Sequence, residues 1–174
     1  MGRKMRPRYY AGIGSRRTPA EVELTIRFVA HKLTRLGFTL RSGGADGADR
    51  MFETYSERVE IWLPWKGFNY HASPYYKLAP RAYEIAAEIH PAWDRLSSGA
   101  KHLHARNVHQ VLGDDLATPV EFVVCWTPGG KIVGGTATAI NLAKRHDIEV
   151  INLYDYPALL VSMLDSKLDA LVAA

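Results

Sequence analysis

The sequence predicts a single α/β domain, a three-layer sandwich in which a mostly parallel sheet is covered by helices on both faces. Two observations carry this. Short apolar runs alternate with amphipathic ones from Arg8 to Val172, the pattern of strands joined by crossover helices. Three of the apolar runs end in glycine-rich turns that open directly into a helical pattern, as a strand-to-helix connection does. No repeat, low-complexity segment or second domain interrupts the 174 residues, a length at which one domain buries most of its apolar surface.

Taken in order, Arg8 to Ile13 reads as a first strand ending in Gly12-Ile13-Gly14-Ser15-Arg16. Thr18-Pro19 with Glu21 then signals a helix start, Thr18 as cap and Pro19 at the first position. Leu24, Phe28, Val29, Leu33 and Leu36 recur at helical spacing, and Gly37 closes the helix. Phe38 to Leu40 is a short second strand. The turn Ser42-Gly43-Gly44-Ala45-Asp46-Gly47-Ala48-Asp49 follows it, and then a helix through Met51, Phe52 and Tyr55. Val59 to Leu63 is a third strand, stopped by Pro64.

Residues 64–80 break the rhythm. This aromatic insertion, with Trp65, Phe68, Tyr70, Tyr75 and Tyr76, is too long for an ordinary connection and suits a lid or an interface. As a lid it would stack Tyr70, Tyr75 or Tyr76 on a ligand base; as a dimer contact it would bury the same rings. Helices are expected from Ala82 to His90 and from Ala100 to Leu112. Glu121 to Trp126 is the clearest buried strand, and it leads through Thr127-Pro128-Gly129-Gly130 to Gly134-Gly135-Thr136 and a helix through Ala139, Leu142 and Ala143. Ile148 to Leu153 is a last strand, and 157–172 a terminal amphipathic helix through Leu160, Met163, Leu164, Leu168 and Leu171.

The net charge of +4 comes partly from a cluster of Arg3, Lys4, Arg6 and Arg8 at the start, most of it in a basic tail (residues 1–7) read as a solubilising segment more than a nucleic-acid arm. The lone Cys125 excludes an internal disulfide and sits in an apolar run as a core residue. No run approaches the length of a membrane span and the start lacks the apolar core of a signal peptide, so a cytoplasmic setting without membrane contact is expected.

The three turns lie at the carboxyl ends of the first, second and fourth strands, where sheets of this class bind ligands. Gly12, Gly14, Ser15 and Arg16 form an anion-suited turn. The dinucleotide fingerprint is absent, since Arg17 stands at the third glycine position, and no Walker Gly-Lys-Ser/Thr occurs. Ser42, Gly43 and Gly44 let a ligand approach the backbone; Asp46 either accepts from ribose hydroxyls or caps the helix, and Asp49 is read as a cap. Gly129, Gly130, Gly134, Gly135 and Thr136 supply amides and hydroxyls for a further phosphate, and Arg106 with Asn107 supplies the cation and amide. His102, His104 and His109 are not spaced as a metal set, so no metal is expected, and no nucleophile–base pair stands out, so no catalytic residue is assigned.

These motifs in this order, Gly-x-Gly-Ser-Arg, Ser-Gly-Gly-Ala-x-Gly-Ala-Asp, Arg106-Asn107 and Gly-Gly-x(4)-Gly-Thr-Ala, resemble the SLOG superfamily from Tyr9 to Leu153. These Rossmann-like domains include the DNA-processing protein DprA (Smf), the LOG phosphoribohydrolases and YspA-like proteins. The first two motifs are closest to DprA, and Arg106-Asn107 with the third turn to the YspA-like proteins. The resemblance implies a pocket for a nucleotide or nucleotide-derived phosphosugar, often in a homodimer, lined by Gly14, Ser15, Arg16, Gly43, Gly44, Asp46, Arg106, Asn107, Gly130, Gly135 and Thr136. LOG enzymes carry a glutamate three positions beyond the threonine of the third turn; here that position is Ala139, which disfavours hydrolysis unless Asp46 or Glu121 substitutes. The extra domains that DprA proteins carry are not expected either. The sequence therefore points to a nucleotide-binding sensor or sequestering module needing no cofactor. The alternatives are a DprA-like single-stranded DNA binder acting in recombination and a LOG-like phosphoribohydrolase.

Overall fold

The computed structural model describes residues 6–174; Arg3 and Lys4 of the basic cluster lie outside them. Five strands, β1 (Arg8–Gly14), β2 (Phe38–Ser42), β3 (Val59–Ile61), β4 (Phe122–Trp126) and β5 (Glu149–Asn152), form one sheet in the order β3-β2-β1-β4-β5. Every pairing is parallel, with Arg8 opposite Phe38 and Tyr10 opposite Phe122. Parallel strands need crossovers, and six helices supply the two outer layers: α1 (Glu23–Arg35), α2 (Ala48–Thr54), α3 (Pro80–Ile89), α4 (Ser98–Leu112), α5 (Thr136–Arg145) and α6 (Val161–Ala173). The chain is a Rossmann-like α/β sandwich.

Strand side chains alternate between two cores. Tyr10, Phe38, Leu40, Phe122 and Val124 pack with Ile26, Val29 and Leu33 of α1, Phe52 of α2 and Leu164 and Leu168 of α6. Ala11, Ile13, Val123 and Cys125 face α3, α4 and α5 through Ala82, Ala86, Ala105, Val108 and Ile140. β4 is buried along its whole length, which is why its sequence is continuously apolar.

Several details differ from expectation. A 3-10 turn at Ala20–Val22 precedes α1, and Thr18 makes no cap: its hydroxyl donates to the Ser15 carbonyl (2.6 Å). Two helical stripes run along α1. The stripe of Ile26, Val29 and Leu33 enters the core, while Leu24 (68% exposed) and Phe28 line an open cleft against α2, and Leu36 is exposed beyond the helix end. β3 stops at Ile61, and Trp62 continues it only as a bridge to Tyr75. The final helix begins at Val161 after a 3-10 turn, leaving Met163 exposed. Arg8 is no free cation of a tail, because its guanidinium grips Glu121 (2.6 and 2.8 Å) and the Val172 carbonyl.

Candidate functional site

The strand order seats β1 between β2 and β4, so their carboxyl ends are neighbours. The chain reverses its winding direction between β1 and β4, and such a switch point opens a crevice above the sheet. One residue joins the turns there. The Ser15 amide donates to the Trp126 carbonyl (3.0 Å), and its own carbonyl accepts from Ala48 at the start of α2 (3.2 Å). Gly47 passes so close that a Cβ on it would lie 2.7 Å from the Arg16 carbonyl carbon.

The crevice is a cavity of about 470 Å³, the size of a small-ligand site. Of the residues singled out in the sequence, Gly14, Ser15, Arg16, Arg106, Asn107, Gly134, Gly135 and Thr136 line it. The others do not. Gly12 lies beneath, packed on Leu40 and Phe52, and the buried Ser42 hydroxyl donates to its carbonyl (2.6 Å). Gly43 sits behind the Arg106 guanidinium, and Gly44 faces Leu63, Ile61 and His71. The Asp46 carboxylate turns outward to Arg50 (3.0 Å) and Asn69 (3.2 Å). Gly130 packs on Tyr154 and Asp155, and Gly129 beside Lys131. Loop glycines two or three apart point to different sides, and spelling alone does not distinguish them.

The cavity also holds Asp49, His104 and Gln110. Asp49 is no cap: Gly47 occupies that position without a side-chain bond. Instead the buried carboxylate accepts from the Gly14 amide (3.3 Å) and the Ala45 amide (3.4 Å). The first two turns therefore spend these amides on an internal anion. At the third turn the Gly135 and Thr136 amides have no acceptor among the described residues, as expected for the first turn of a helix. Gln110 was legible only as the residue one turn beyond Arg106 on the same helix face.

Arg106 organises the inner wall. Its Nη1 donates to the Gly43 and Trp62 carbonyls and its Nε to Asn107 Oδ1 (3.0 Å), while Asn107 Nδ2 donates to the Gly135 carbonyl (2.6 Å). α4 thus ties the second turn to the third. Burial holds the Arg106 pKa down at about 10, opposed by Asp49 and reinforced by Arg16. Burial pushes Asp49 up to about 6 against the pull of Arg106 and the backbone amides. Burial, then the positive character of His90 and Arg106, pushes His104 down to about 4, and its Nδ1 shares a hydrogen bond with Thr138 Oγ1 (2.7 Å).

These two shifts make opposite contributions to stability. Asp49, raised from 3.8 to about 6, binds protons more readily folded, so its contribution is full below pH 3.8 and is lost as pH rises toward 6. His104, lowered from 6.5 to about 4, is held neutral by folding, so its contribution is full above pH 6.5 and is lost as pH falls toward 4. Wild type is expected to be nearly flat between about pH 4 and 6 where the two overlap. Denaturant melts across that range check this: Asp49→Asn should gain stability with rising pH and His104→Gln should lose it, each by about 2–3 kcal/mol.

The aromatic insertion buttresses the site without lining it. Phe68 lies 5.7 Å from the Arg106 guanidinium, Trp65 packs edge-on to Phe68, and Asn69 donates to the Gly44 carbonyl (3.0 Å). Of the three tyrosines expected over a ligand, Tyr75 packs on Trp62, Tyr76 joins the core and Tyr70 is fully exposed. Neither candidate substitute for a catalytic glutamate reaches the cavity: Glu121 sits at the opposite end of β4 on Arg8, and Asp46 turns outward to Arg50 and Asn69, while Ala139, at the glutamate position itself, is buried in the core. A larger cleft of about 600 Å³ between α1 and α2, lined by Phe28, His31 and Tyr55, has no glycine turn and lies away from the switch point. Among the described residues no group of three His, Cys, Asp or Glu side chains could hold a metal, and no helix is long and apolar enough to cross a membrane.

Comparisons with known proteins match the architecture. No family model matches the chain, and no curated protein does. A solved structure of DNA processing protein A from Helicobacter pylori, described for its single-stranded DNA binding mode, is similar over 84% of this chain, with a TM-score of 0.55 at 18% identity. The chain spans 65% of the length of that structure. At that identity the likeness is one of fold: this chain is a parallel α/β sandwich of the kind found in DNA processing protein A.

Proposed function

We propose that this domain binds a nucleotide or nucleotide-derived phosphosugar in the switch-point cavity, holding it without turnover as a sensor or sequestering module. The observation that carries this reading is the charge of the cavity: Arg16, Arg17 and Arg106 against the single carboxylate of Asp49. Arg16 and Arg17 are exposed at its mouth and make no ion pair among the described residues. The unpartnered amides at the start of α5 lie on the same rim, and an anion satisfies both. The motif order that resembles the SLOG superfamily supports the same ligand class.

Thermal-shift measurements with AMP, ADP-ribose and NAD test it. A binder present at 100 times its Kd adds about 2.7 kcal/mol, a rise of roughly 5–10 °C for a domain of this size. Arg16→Ala should weaken that ligand about tenfold, the loss of one hydrogen bond to a charged group. No shift with any of the three contradicts the proposal.

Single-stranded DNA is the second reading, favoured by the fold shared with a protein described for that activity and by the guanidiniums at the cavity mouth. Binding of a labelled oligothymidylate would then fall steeply between 50 and 200 mM salt, about tenfold or more. Saturable nucleotide binding without any oligonucleotide complex at low salt discards it.

A further inference from the structure

The cavity has two chemically different ends. At the outer end stand Arg16, Arg17 and the unpartnered amides of Gly135 and Thr136, positive and uncompensated. At the inner end Asp49 and Arg106 balance each other, each buried and with no ion pair closer than 4 Å between them. Gln110 stands beside Arg106 there, against Gly43, so that a Cβ on Gly43 would lie 2.7 Å from the Arg106 Cζ and closer still to Gln110 Nε2. Gln110 is only 2% exposed, lines the cavity and makes no side-chain hydrogen bond among the described residues; its amide is not sealed from the cavity, since among those residues only Trp62 Nε1 is a fully buried side-chain polar atom without a partner. An unbonded amide that is reachable only through the cavity is a group that a ligand can satisfy.

A second anion at the inner end would meet the Asp49 carboxylate in a water-poor site, where like charges repel strongly. The same carboxylate accepts from the Gly14 and Ala45 amides, with the Gly43 amide close by as a third, which leaves at least one of its roughly four lone-pair sites for a donor. The favoured guest at that end is therefore a neutral hydroxyl. We infer that the cavity is polarised, with Arg16 and the α5 N-terminus taking the ligand's phosphate and Asp49 with Gln110 taking the cis hydroxyl pair of a ribose. The ligand class is then a ribonucleotide in preference to a deoxyribonucleotide. This inference rests on the nucleotide reading above and narrows it, since the 2′-hydroxyl is what separates ribose from deoxyribose.

Calorimetry with AMP, 2′-deoxy-AMP, 2′,3′-dideoxy-AMP and adenosine tests it on the unmodified protein. The expected result is about tenfold weaker binding of 2′-deoxy-AMP, still weaker binding of the dideoxy compound, and weak binding of adenosine, which lacks the phosphate. Asp49→Asn, and separately Gln110→Leu should the former not fold, should bind 2′-deoxy-AMP and AMP within a factor of about two of each other. AMP binding with no ribose preference in the unmodified protein, or a preference that survives both substitutions, overturns the polarity while leaving the nucleotide site standing. Failure of AMP to bind at all overturns the site reading and the polarity with it.

Discussion

Gly47→Ala is expected to cost about 3–5 kcal/mol, roughly 10 °C in melting temperature, and to abolish ligand binding with it. Gly47 holds φ 76° and ψ −129°, a combination that residues with a Cβ essentially do not adopt. The added carbon would also meet rigid backbone, the Ser15 carbonyl and, 2.7 Å away, the Arg16 carbonyl carbon, so nothing flexible can yield. The contact that gives way is the bond from the Ala48 amide to the Ser15 carbonyl (3.2 Å), the one that locks the first turn onto the start of α2. Gly134→Ala is the control. Gly134 also has positive φ (68°), but a Cβ there meets nothing within 4 Å, so its cost should stay near 1 kcal/mol. Chemical denaturation of the two variants separates strain alone from strain plus collision; equal losses would contradict the account.

Arg106→Ala carries the other large effect, a loss of about 3–5 kcal/mol. It strands the buried Gly43 and Trp62 carbonyls and removes the cation that balances Asp49. The Asp49 carboxyl should then move above about 6, because its largest opposing pull comes from Arg106. Arg106→Lys should recover the charge without the fork, since one ammonium cannot serve two carbonyls and Asn107 together. Its stability should fall between wild type and Arg106→Ala, whereas a purely space-filling role would leave Lys, similar in size to Arg, close to wild type.

Much of this architecture was legible in the residues. β4 could be read because a strand covered on both faces must be apolar throughout, and Phe122 to Trp126 is. The neighbourhood of the three turns followed from the parallel topology, since consecutive β–α units put their turns on one edge of the sheet. What failed was direction. Leu24 and Ile26 are equally apolar, yet they lie on two stripes of α1, and only packing decides which faces the core. Gly43 and Gly44 are adjacent, yet one backs Arg106 and the other faces His71. Asp49, in the first turn of a helix after glycine, carries the local signature of a cap, and its bonds to Gly14 and Ala45 arise only once β1 and β2 pair. Gln110 looks like any amide on a helix until α4 is laid over the switch point.

An AMP titration followed through backbone amide chemical shifts reads out whether the turns share one ligand. Ser15, Arg16, Gly135 and Thr136 should respond together with a single Kd, because they rim one cavity. Responses confined to Phe28, His31 and Tyr55 in the α1–α2 cleft, or none at the rim, would contradict it.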